Sequence, residues 1–480
     1  MYFIGIDIGI HETVVARTPG YNGEPISVIP LALNNGIRTT VLKTALCKNN
    51  DTYSLLSKKE FNTLKLGDSD KTSTLLEGFI KAIEDMTPID KECMIVYTKL
   101  LLQTIIESDN ELNGNNYIIG ITCRHCFTNL SYVDFLRDEC KLYRCVFIDD
   151  AYATKYMQHK SYEKSNVLVI DIGITAADFK VYIDSEFCHE NSCNINYGVN
   201  KIYDALKPKI FCYGDNKRNL QYLINLANGP SKHVIETNFA SYIEEKIQLY
   251  YQNRIEDFEL NIRYAELFPD WNGAESDICI KFNISKDELD KLTANYKSGL
   301  CDILTNLYTK LALANYSPDR VMLIGKYSNM DFIRNSISDV FNLPTYEHYN
   351  MKHEVAMGIA VYVNDTHRAK ENLQTVIQNK IGNFSVYHLQ NEKNMLGLCK
   401  FMVKCINDEL RTFNVCCQID ENDVAVPILG ACVHSFSIIS DYEANTRLRK
   451  NITSTAIEIL ESYLPHAFYS HELQYRRHRL

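Results

Sequence analysis

Residues 1–13 read MYFIGIDIGIHET, and residues 167–184 read VLVIDIGITAADFKVYID. Each stretch contains a run of β-forming residues, an Asp at the end of that run, a Gly two positions later and a return to β-forming residues. Because Gly has no Cβ, the backbone can turn there and approach another group closely. The two stretches therefore predict two β-hairpins of one design, and their separation predicts two related halves of the chain.

The pattern of Asp and Gly suits a phosphate site. A phosphate chain with bound Mg²⁺ needs backbone N–H groups or hydroxyls near its oxygens and carboxylates near the metal. Asp7 with Gly9, and Asp171 with Gly173, supply both kinds of group, and Asp178 adds a carboxylate on the return strand of the second hairpin. The same spacing also fits two ordinary hairpin turns, so the residues by themselves leave both interpretations open.

The composition is that of an ordinary globular protein. The 480 residues are 46% hydrophobic and 23% charged, and the formal net charge of −10 argues against a dedicated nucleic-acid-binding protein, which would carry a basic excess. No apolar run reaches the roughly 18 residues of a membrane helix. The N-terminus lacks the basic region and cleavage site of a signal peptide. We therefore expect a cytoplasmic protein that binds neither membrane nor nucleic acid.

The 16 cysteines are scattered along the chain. Because we expect a reducing compartment, we predict free thiols rather than disulfides. The only C-x-x-C pair, Cys123 and Cys126, has no second pair at zinc-finger spacing, so a thiol cluster is favoured over a metal site.

Strand and helix patterns alternate along the chain, which predicts an α/β architecture. A helical spacing of apolar residues covers about 71–109, a buried strand follows at 116–123, and a strand, a turn and a helix occupy 319–341. The sequence becomes more polar after about 366, and we predict a domain boundary at 366–380. The remaining segment predicts two helices that flank two strands, TFNVCCQID (412–420) and AVPILGACVHSFSIIS (425–440).

Several segments together resemble the actin-like ATPase superfamily, and within it the nucleotide-binding domain of the 70-kDa heat-shock chaperones. IGIDIGIHETVVA and VLVIDIGITAADFKVY resemble its two phosphate hairpins; other motifs of the family are matched by LNNGIRTTVLKTAL, FNTLKLGD, CVFIDDAYATKYM, RVMLIGKYSNMDFIRNSI and HEVAMGIAVYV. The resemblance implies a two-lobed actin-like (ribonuclease-H-like) α/β fold. Lobe I would span 1–165 and lobe II 166–370, and a short C-terminal mixed α/β extension would span 371–480.

The resemblance also implies a site for ATP or ADP with Mg²⁺ between the lobes. Lys65 would meet the phosphates, although it equally fits a solvent-facing helix lysine. Asp149, or its neighbour Asp150, would orient the attacking water. The implied catalytic residues are Asp7, Lys65, Asp149, Asp171 and Asp178, and Asp7 and Asp171 would hold Mg²⁺ through water. The implied nucleotide contacts are Gly9, Ile10, His11, Thr13, Gly173, Ile174, Thr175, Gly325, Lys326 and Ser328.

The sequence departs from the family at groups that contact phosphate. Ile10 and His11 stand where the family has hydroxyl residues after the first hairpin's glycine, and Ile174 and Thr175 replace glycines of the second hairpin. Lys326 replaces the second glycine of the adenosine motif. Because a β-branched residue is unfavourable where φ is positive, either the second hairpin is reshaped or the Ile174 side chain occupies space that the γ-phosphate would need. We therefore expect nucleotide binding with weak or slow hydrolysis.

These expectations favour a nucleotide-regulated, chaperone-like or regulatory protein that binds a protein partner through its C-terminal segment. That segment is too short for the family's peptide-binding β-sandwich and helical lid. Two alternatives remain open: a pseudo-ATPase scaffold that binds partners without nucleotide, and an actin-like protein that forms filaments. A small-molecule kinase is the least favoured interpretation, because the sequence places neither an acceptor pocket nor a base.

Overall fold

The computed structural model describes most of the chain, and every structural statement below refers to the described residues. These are 1–9, 11–19, 26–33, 36–50, 52–65, 73–80, 83–109, 112, 116–122, 130–142, 145–158, 166–173, 176–183, 186–225, 242–243, 246–251, 258–263, 279–325, 327, 330–343, 345–346, 351–381, 392–413, 419–436, 441–464 and 467–468.

The strands and helices alternate in chain order as the sequence predicts. The strands are β1 (Tyr2–Ile8), β2 (Glu12–Pro19), β3 (Ser27–Val28), β4 (Leu31–Ala32), β5 (Arg38–Thr39), β6 (Leu42–Asn49), β7 (Thr52–Ser57), β8 (Ser73–Glu77), β9 (Tyr117–Thr122), β10 (Val146–Ile148), β11 (Val167–Ile172), β12 (Ala177–Ile183), β13 (Glu186–Ile195), β14 (Phe258–Arg263), β15 (Cys279–Ile284), β16 (Arg320–Ile324), β17 (Thr345–Tyr346) and β18 (Ala467–Phe468). The helices are α1 (Lys58–Lys65), α2 (Pro88–Ser108), α3 (Leu130–Asp138), α4 (Asp150–Gln158), α5 (Asn200–Cys212), α6 (Asn216–Asn225), α7 (Lys286–Leu313), α8 (Asp331–Phe341), α9 (Met351–Ile381), α10 (Glu392–Thr412), α11 (Glu421–Phe436) and α12 (Asp441–Tyr463).

A nine-stranded sheet forms the first half of the fold. Its order is β18-β10-β9-β1-β2-β6-β7, with β3 paired to β2 and β8 paired to β6. Strand β1 is antiparallel to β2 and parallel to β9, which is itself parallel to β10. Apolar residues of β1 are buried on both faces, since Phe3 and Ile4 belong to different core clusters. This double burial explains why the β1 sequence is almost continuously apolar.

A five-stranded sheet repeats the same arrangement. Its order is β13-β12-β11-β16-β17, in which β11 is antiparallel to β12 and parallel to β16, and β16 is parallel to β17. Strands β2, β1, β9 and β10 thus correspond to β12, β11, β16 and β17. Asp7 pairs with Val14 in the first hairpin, and Asp171 pairs with Asp178 at the matching register of the second. The predicted internal repeat and the two-lobed α/β fold are confirmed.

Part of the helix predicted over 71–109 is a strand. Ser73–Glu77 forms β8 and pairs with β6, and helix α2 begins only at Pro88. Thr87 caps α2: its side chain accepts the Asp90 amide while the Asp90 side chain accepts the Thr87 amide. With Pro88 as the first helical residue, this cap fixes the start of the helix. The prediction was wrong at residues 73–77, because pairing with β6 overrode a local helical spacing there.

Helix α9 connects the parts of the molecule. It packs against β1, β2, β9, α4 and the C-terminal helices α10 and α12. The approach to β1 is so close that a Cβ at Gly5 would lie 2.6 Å from the Ala360 amide nitrogen. Because α9 is continuous from Met351 to Ile381, it passes through the predicted boundary at 366–380. The division into domains stays a prediction.

The described C-terminal segment is largely helical, with α10, α11 and α12 packed on one another. The run AVPILGACVHSF, which we predicted to be a strand, belongs to α11. Val424, Ile428 and Ala431 are buried at helical spacing, and a short apolar run of this kind fits a buried helix as well as a strand. That strand prediction was therefore wrong; the strand in the described part of the extension is β18, which pairs with β10. Most of TFNVCCQID lies outside the described residues.

One apolar cluster joins both sheets to these helices. It contains Phe3 of β1, Val169 of β11 and Ile452 of α12, together with much of α9. The C-terminal helices therefore share a core with the two sheets. No helix in the described ranges is both long enough and apolar enough to cross a bilayer.

Candidate functional site

The first hairpin places Asp7 near the end of β1. Its partly buried carboxylate accepts a hydrogen bond from the Thr122 hydroxyl at 3.2 Å, and the same hydroxyl accepts the Ile8 amide at 2.8 Å. The Gly9 amide donates to the Glu12 carbonyl at 3.0 Å and closes the turn. Since Thr122 ends β9, the carboxyl ends of two neighbouring parallel strands meet at Asp7.

A buried hydroxyl network holds this hairpin in place. The Thr44 hydroxyl donates to the Gly9 carbonyl at 2.7 Å and lies 3.1 Å from the Thr13 hydroxyl, to which Tyr97 donates at 2.7 Å. Burial raises the pKa of Tyr97 above its ordinary value, so this phenol remains a neutral donor. Thr13, a predicted nucleotide contact, is therefore fully buried and bonded to interior groups.

The second hairpin repeats the geometry of the first. The Gly173 amide donates to the Ala176 carbonyl at 2.9 Å, as the first glycine does to the residue three positions later. Asp171 lies directly across the hairpin from Asp178, and opposite residues of an antiparallel pair share one face of the sheet. The side-chain amide of Asn194 donates to the Asp178 carboxylate. Two carboxylates therefore face each other across this hairpin.

Gly325 brings a third segment to the same place. It follows β16, the parallel neighbour of β11, and its φ is +87°. A Cβ at Gly325 would overlap the carboxylate of Asp171, which lies directly against the glycine backbone. Positive φ and the lack of space each exclude an ordinary L side chain here. Asp171 and Gly325, predicted from separate motifs, are thus neighbours.

Asp149 is fully buried where β10 passes into α4. Its Oδ1 accepts the Tyr152 amide at 3.0 Å and the Tyr182 hydroxyl at 2.9 Å, and its Oδ2 accepts Lys180 Nζ at 2.8 Å. Burial raises the pKa of Asp149 and the Asp150 carboxylate adds to this effect, whereas Lys180 opposes it. Both oxygens of the residue predicted to orient water therefore already accept hydrogen bonds from the protein.

Lys180 bridges Asp149 and its neighbour. Its Nζ also lies 2.8 Å from Asp150 Oδ1, and that oxygen accepts the Ala151 amide at 2.8 Å. Burial by itself lowers the pKa of Lys180, but the two carboxylates outweigh it and hold the pKa well above its ordinary value. The ammonium is therefore charged. Lys180 follows Asp178 by two positions on β12, so the two side chains lie on one face of the strand.

The remaining predicted contacts are placed only in part. His11 is exposed, and its carbonyl accepts the Thr44 amide at 3.0 Å. Lys65 is the last residue of α1, and its side chain lies outside the described residues. Five predicted contacts also lie outside them: Ile10, Ile174, Thr175, Lys326 and Ser328.

Sequence reasoning missed several residues that support the site. Thr122, Thr44 and Asn194 orient predicted site groups from distant parts of the chain. Such partners leave no local signal, because the hydrogen bonds span large sequence separations. Lys180 did carry a signal, since strand alternation places it on the same face as Asp178.

The donor set suits a metal held together with a nucleotide. Within the described part of the chain, no group of three or more His, Cys, Asp and Glu side chains is placed to hold a metal ion. Asp7 and Asp171 each contribute a carboxylate near the end of a central strand. Mg²⁺ usually keeps several waters and binds one or two carboxylates plus substrate phosphates. The residues present therefore fit Mg²⁺ bound with a phosphate ligand.

Comparison with known proteins supports the architecture. No protein-family model matches the chain, and no curated protein matches it. Among solved structures, the crystal structure of MreB 5 of Spiroplasma citri bound to AMPPNP is similar, with a TM-score of 0.52 and 16% sequence identity. The match covers 77% of this chain and 98% of that chain. The chain therefore has the two-lobed actin-like ATPase fold, while the finer resemblance to heat-shock chaperones is not shown.

Proposed function

We propose that this protein binds ATP or ADP together with Mg²⁺ at the carboxyl ends of β1 and β11. The observation that carries the proposal is the pair of matched hairpins, each with an Asp near the end of a central strand and a Gly that closes the turn. In open α/β sheets, ligands bind beyond the carboxyl ends of parallel strands. The similar MreB 5 structure is bound to AMPPNP, a nucleotide analogue, which supports the same choice of ligand.

In this proposal Asp7 and Asp171 hold the Mg²⁺ through its waters. Thr122 orients the first carboxylate, and Gly325 leaves room for the second. When bound, the ion offsets the negative charge of the phosphates. Lys65 would add a positive charge at the phosphates. The hairpin turns would supply nucleotide contacts, with Ile10, His11, Ile174 and Thr175 beside the phosphates and Lys326 and Ser328 beside the nucleoside.

We further propose that hydrolysis is slow. In hydrolysis the water oxygen bonds to the γ-phosphorus, the bond to the bridging oxygen breaks, and ADP leaves with the bonding electron pair. Catalysis of this step depends on positioned water and electrostatic stabilisation. Asp149 Oδ1 already accepts the Tyr152 amide and the Tyr182 hydroxyl, and Oδ2 accepts Lys180, so this buried carboxylate has at most one acceptor position left for a water. Loss of one of the existing hydrogen bonds would leave a buried group unpaired at about 1–3 kcal/mol or more, so this acid is a poor candidate for the task.

The direct test is calorimetric titration with ATP and with ADP, each with and without Mg²⁺. We expect Mg²⁺-dependent binding that weakens at least about tenfold, or about 1.4 kcal/mol, in Asp7→Asn and in Asp171→Asn. The matched control is Asp302→Asn, an exposed carboxylate on α7, which should bind as the wild type does. Binding that ignores both Mg²⁺ and the two site variants would contradict the proposal.

A pseudo-ATPase scaffold is the second candidate. Two groups that the resemblance assigns to the nucleotide, Thr13 and Asp149, are buried and bonded inside the protein, as expected if the site had been given over to structure. Absence of any binding heat and of any thermal shift at millimolar nucleotide would favour this scaffold over the proposed nucleotide site. Nucleotide-dependent light scattering would instead favour the filament-forming alternative.

We propose a chaperone-like or regulatory role in the cytoplasm, exerted through a protein partner. Apolar side chains on the C-terminal helices support a partner surface, since Val426 is 75% exposed, Leu429 52% and Leu396 46%. Val426 and Leu429 are three residues apart on α11 and so lie on one face of that helix, and exposed apolar groups that lie together mark interaction sites in soluble proteins. Nucleotide state would control this surface through closure of the two lobes.

A further inference from the structure

A buried ion cluster connects the two sheets at α4. The Lys180 side chain is 19% exposed, and the side chains of Asp149 and Asp150 are 1% and 10% exposed. Both Nζ–oxygen distances are 2.8 Å. Asp149 and Asp150 follow β10 of the nine-stranded sheet, whereas Lys180 lies on β12 of the five-stranded sheet. A single ammonium therefore joins the carboxylates of one half to the hairpin of the other.

A second lysine lies beside this cluster. Lys155 of α4 is 1% exposed, and its Nζ lies 4.8 Å from the ring centre of Tyr182. The hydroxyl of the same tyrosine donates to Asp149. Lys155 thus lies beside the ion cluster, over the ring of a tyrosine that is bonded to Asp149. Within the cluster Lys180 is paired and hydrogen-bonded to both carboxylates, and removal of one partner from such a buried pair is costly.

We propose that Lys180 is a positioning residue of the nucleotide site, which transmits the occupancy of the second hairpin to helix α4. This inference rests on the proposed nucleotide binding. Asp178 faces Asp171 across the hairpin and lies two positions before Lys180 on the same strand face. A ligand that binds Asp171 would therefore act on the same hairpin whose return strand carries Lys180.

Helix α4 is connected by direct packing to the C-terminal helices through α9. Gly358 of α9 lies so close to the α4 backbone that a Cβ at Gly358 would overlap the carbonyl oxygen of Ala153. Helix α9 in turn packs on α10 and α12. A shift of α4 would therefore reach the helices that carry the exposed apolar side chains. The test therefore measures a response at α4 itself.

Hydrogen exchange of the full chain gives that measurement. The Ala151 and Tyr152 amides donate to the Asp150 and Asp149 carboxylates, so their exchange reports directly on the cluster. In the wild type, saturating Mg²⁺–ATP should slow their exchange at least about fivefold, a typical strength for coupled sites. In Lys180→Met this slowing should disappear, while amides of β11 and β12 still respond to ATP.

Three further variants separate coupling from simple stability. Lys180→Arg keeps the charge and should restore the response, and Lys217→Met, an exposed lysine on α6, should behave as the wild type does. Lys180→Met combined with Asp149→Asn removes both members of one ion pair; it should remain folded, bind ATP and lack the α4 response. This double variant keeps the test valid if the single variant does not fold.

The outcomes are distinct. A full α4 response in Lys180→Met or in the double variant would overturn the inference while nucleotide binding stands. Protection of β11 and β12 without protection of α4 in the wild type would do the same. Absence of ATP binding to the wild type, measured by calorimetry, would overturn the proposed function and this inference with it.

Discussion

Replacement of Gly5 by Ala should separate β1 from the central helix α9. The added Cβ would overlap the Ala356 carbonyl oxygen, and it would lie 2.6 Å from the Ala360 amide nitrogen and 3.0 Å from the Ala356 carbonyl carbon. Because such contacts normally need about 3.5 Å, α9 would have to retreat by more than about 1 Å. The obstructing atoms are backbone, so no side-chain rotation can relieve the overlap.

The retreat is costly because α9 is also held on its other side. Helix α9 packs against α4, where Gly358 leaves no space next to Ala153. Overpacking of a filled core costs about 1–3 kcal/mol, and the loss of glycine flexibility in the unfolded chain returns about 0.5–1 kcal/mol. Because the overlap is with backbone, the cost should lie near the upper end of that range, so we expect Gly5→Ala to lower the free energy of unfolding by roughly 2 kcal/mol. Urea unfolding followed by far-UV circular dichroism measures this change.

Two other glycines make the test a graded series. At Gly120 a Cβ would meet side-chain methyls, at 2.5 Å from Ile359 Cγ2 and 2.6 Å from Val363 Cγ2, and these can shift more easily than backbone. Its replacement by Ala should cost less, at about 1 kcal/mol. Gly397 of α10 has open space, so Ala there should stabilise the helix by about 0.5–1 kcal/mol. A Gly5→Ala protein as stable as the wild type would contradict this expectation, and so would an equal change in the free energy of unfolding in all three variants.

Three further predictions concern a buried hydroxyl network, a helix cap and cysteine thiols. Tyr97→Phe should cost about 1 kcal/mol in urea unfolding, because a buried threonine loses its donor; an unchanged midpoint would show that the network does not hold the hairpin. Thr87→Ala should cost about 1 kcal/mol by loss of the α2 cap, and equal stability would contradict the capping role. Burial raises the pKa of Cys140 to about 11 and of Cys145 to about 12, so at pH 8 both should react with a thiol reagent far more slowly than the exposed Cys212. The folded-state pKa values of Cys140 and Cys145 exceed the unfolded value. The stability that these two thiols contribute should therefore be complete below about pH 8.5 and should fade as the pH rises through 11–12. Equal reactivity of all three thiols would contradict the raised pKa values.

The hairpins were predictable because their signals are local. An apolar strand, a terminal Asp and a turn glycine lie within ten residues, and both copies fold as the sequence indicates. The neighbouring strands β9 and β16 were also predictable, since strands buried on both faces are continuously apolar. At these strands the local sequence preference and the tertiary contacts favour the same conformation, so the local sequence is enough to predict it.

The missed features depend on contacts between distant residues. The β8 strand exists because β6 accepts it as a partner, and a local pattern cannot show this. Tyr97 reaches Thr13 across 84 positions, and Tyr182 reaches Asp149 across 33. Helix α11 was misread because a short apolar run fits a buried helix as well as a strand, and the contacts with α10 and α12 that decide between them are not local.

The two hairpins share a design but differ in what their return strands carry. In the first, Val14 stands opposite Asp7 and is buried against Ala356 of α9, so the return strand anchors the central helix. In the second, the matching position is Asp178, and Lys180 follows it on the same face. An apolar anchor contributes chiefly to stability, whereas a charged face interacts with whatever charge is bound beside it. Substitutions of Val14 should therefore act mainly on stability, substitutions of Asp178 mainly on ligand binding, and substitutions of Lys180 on both stability and transmission to α4.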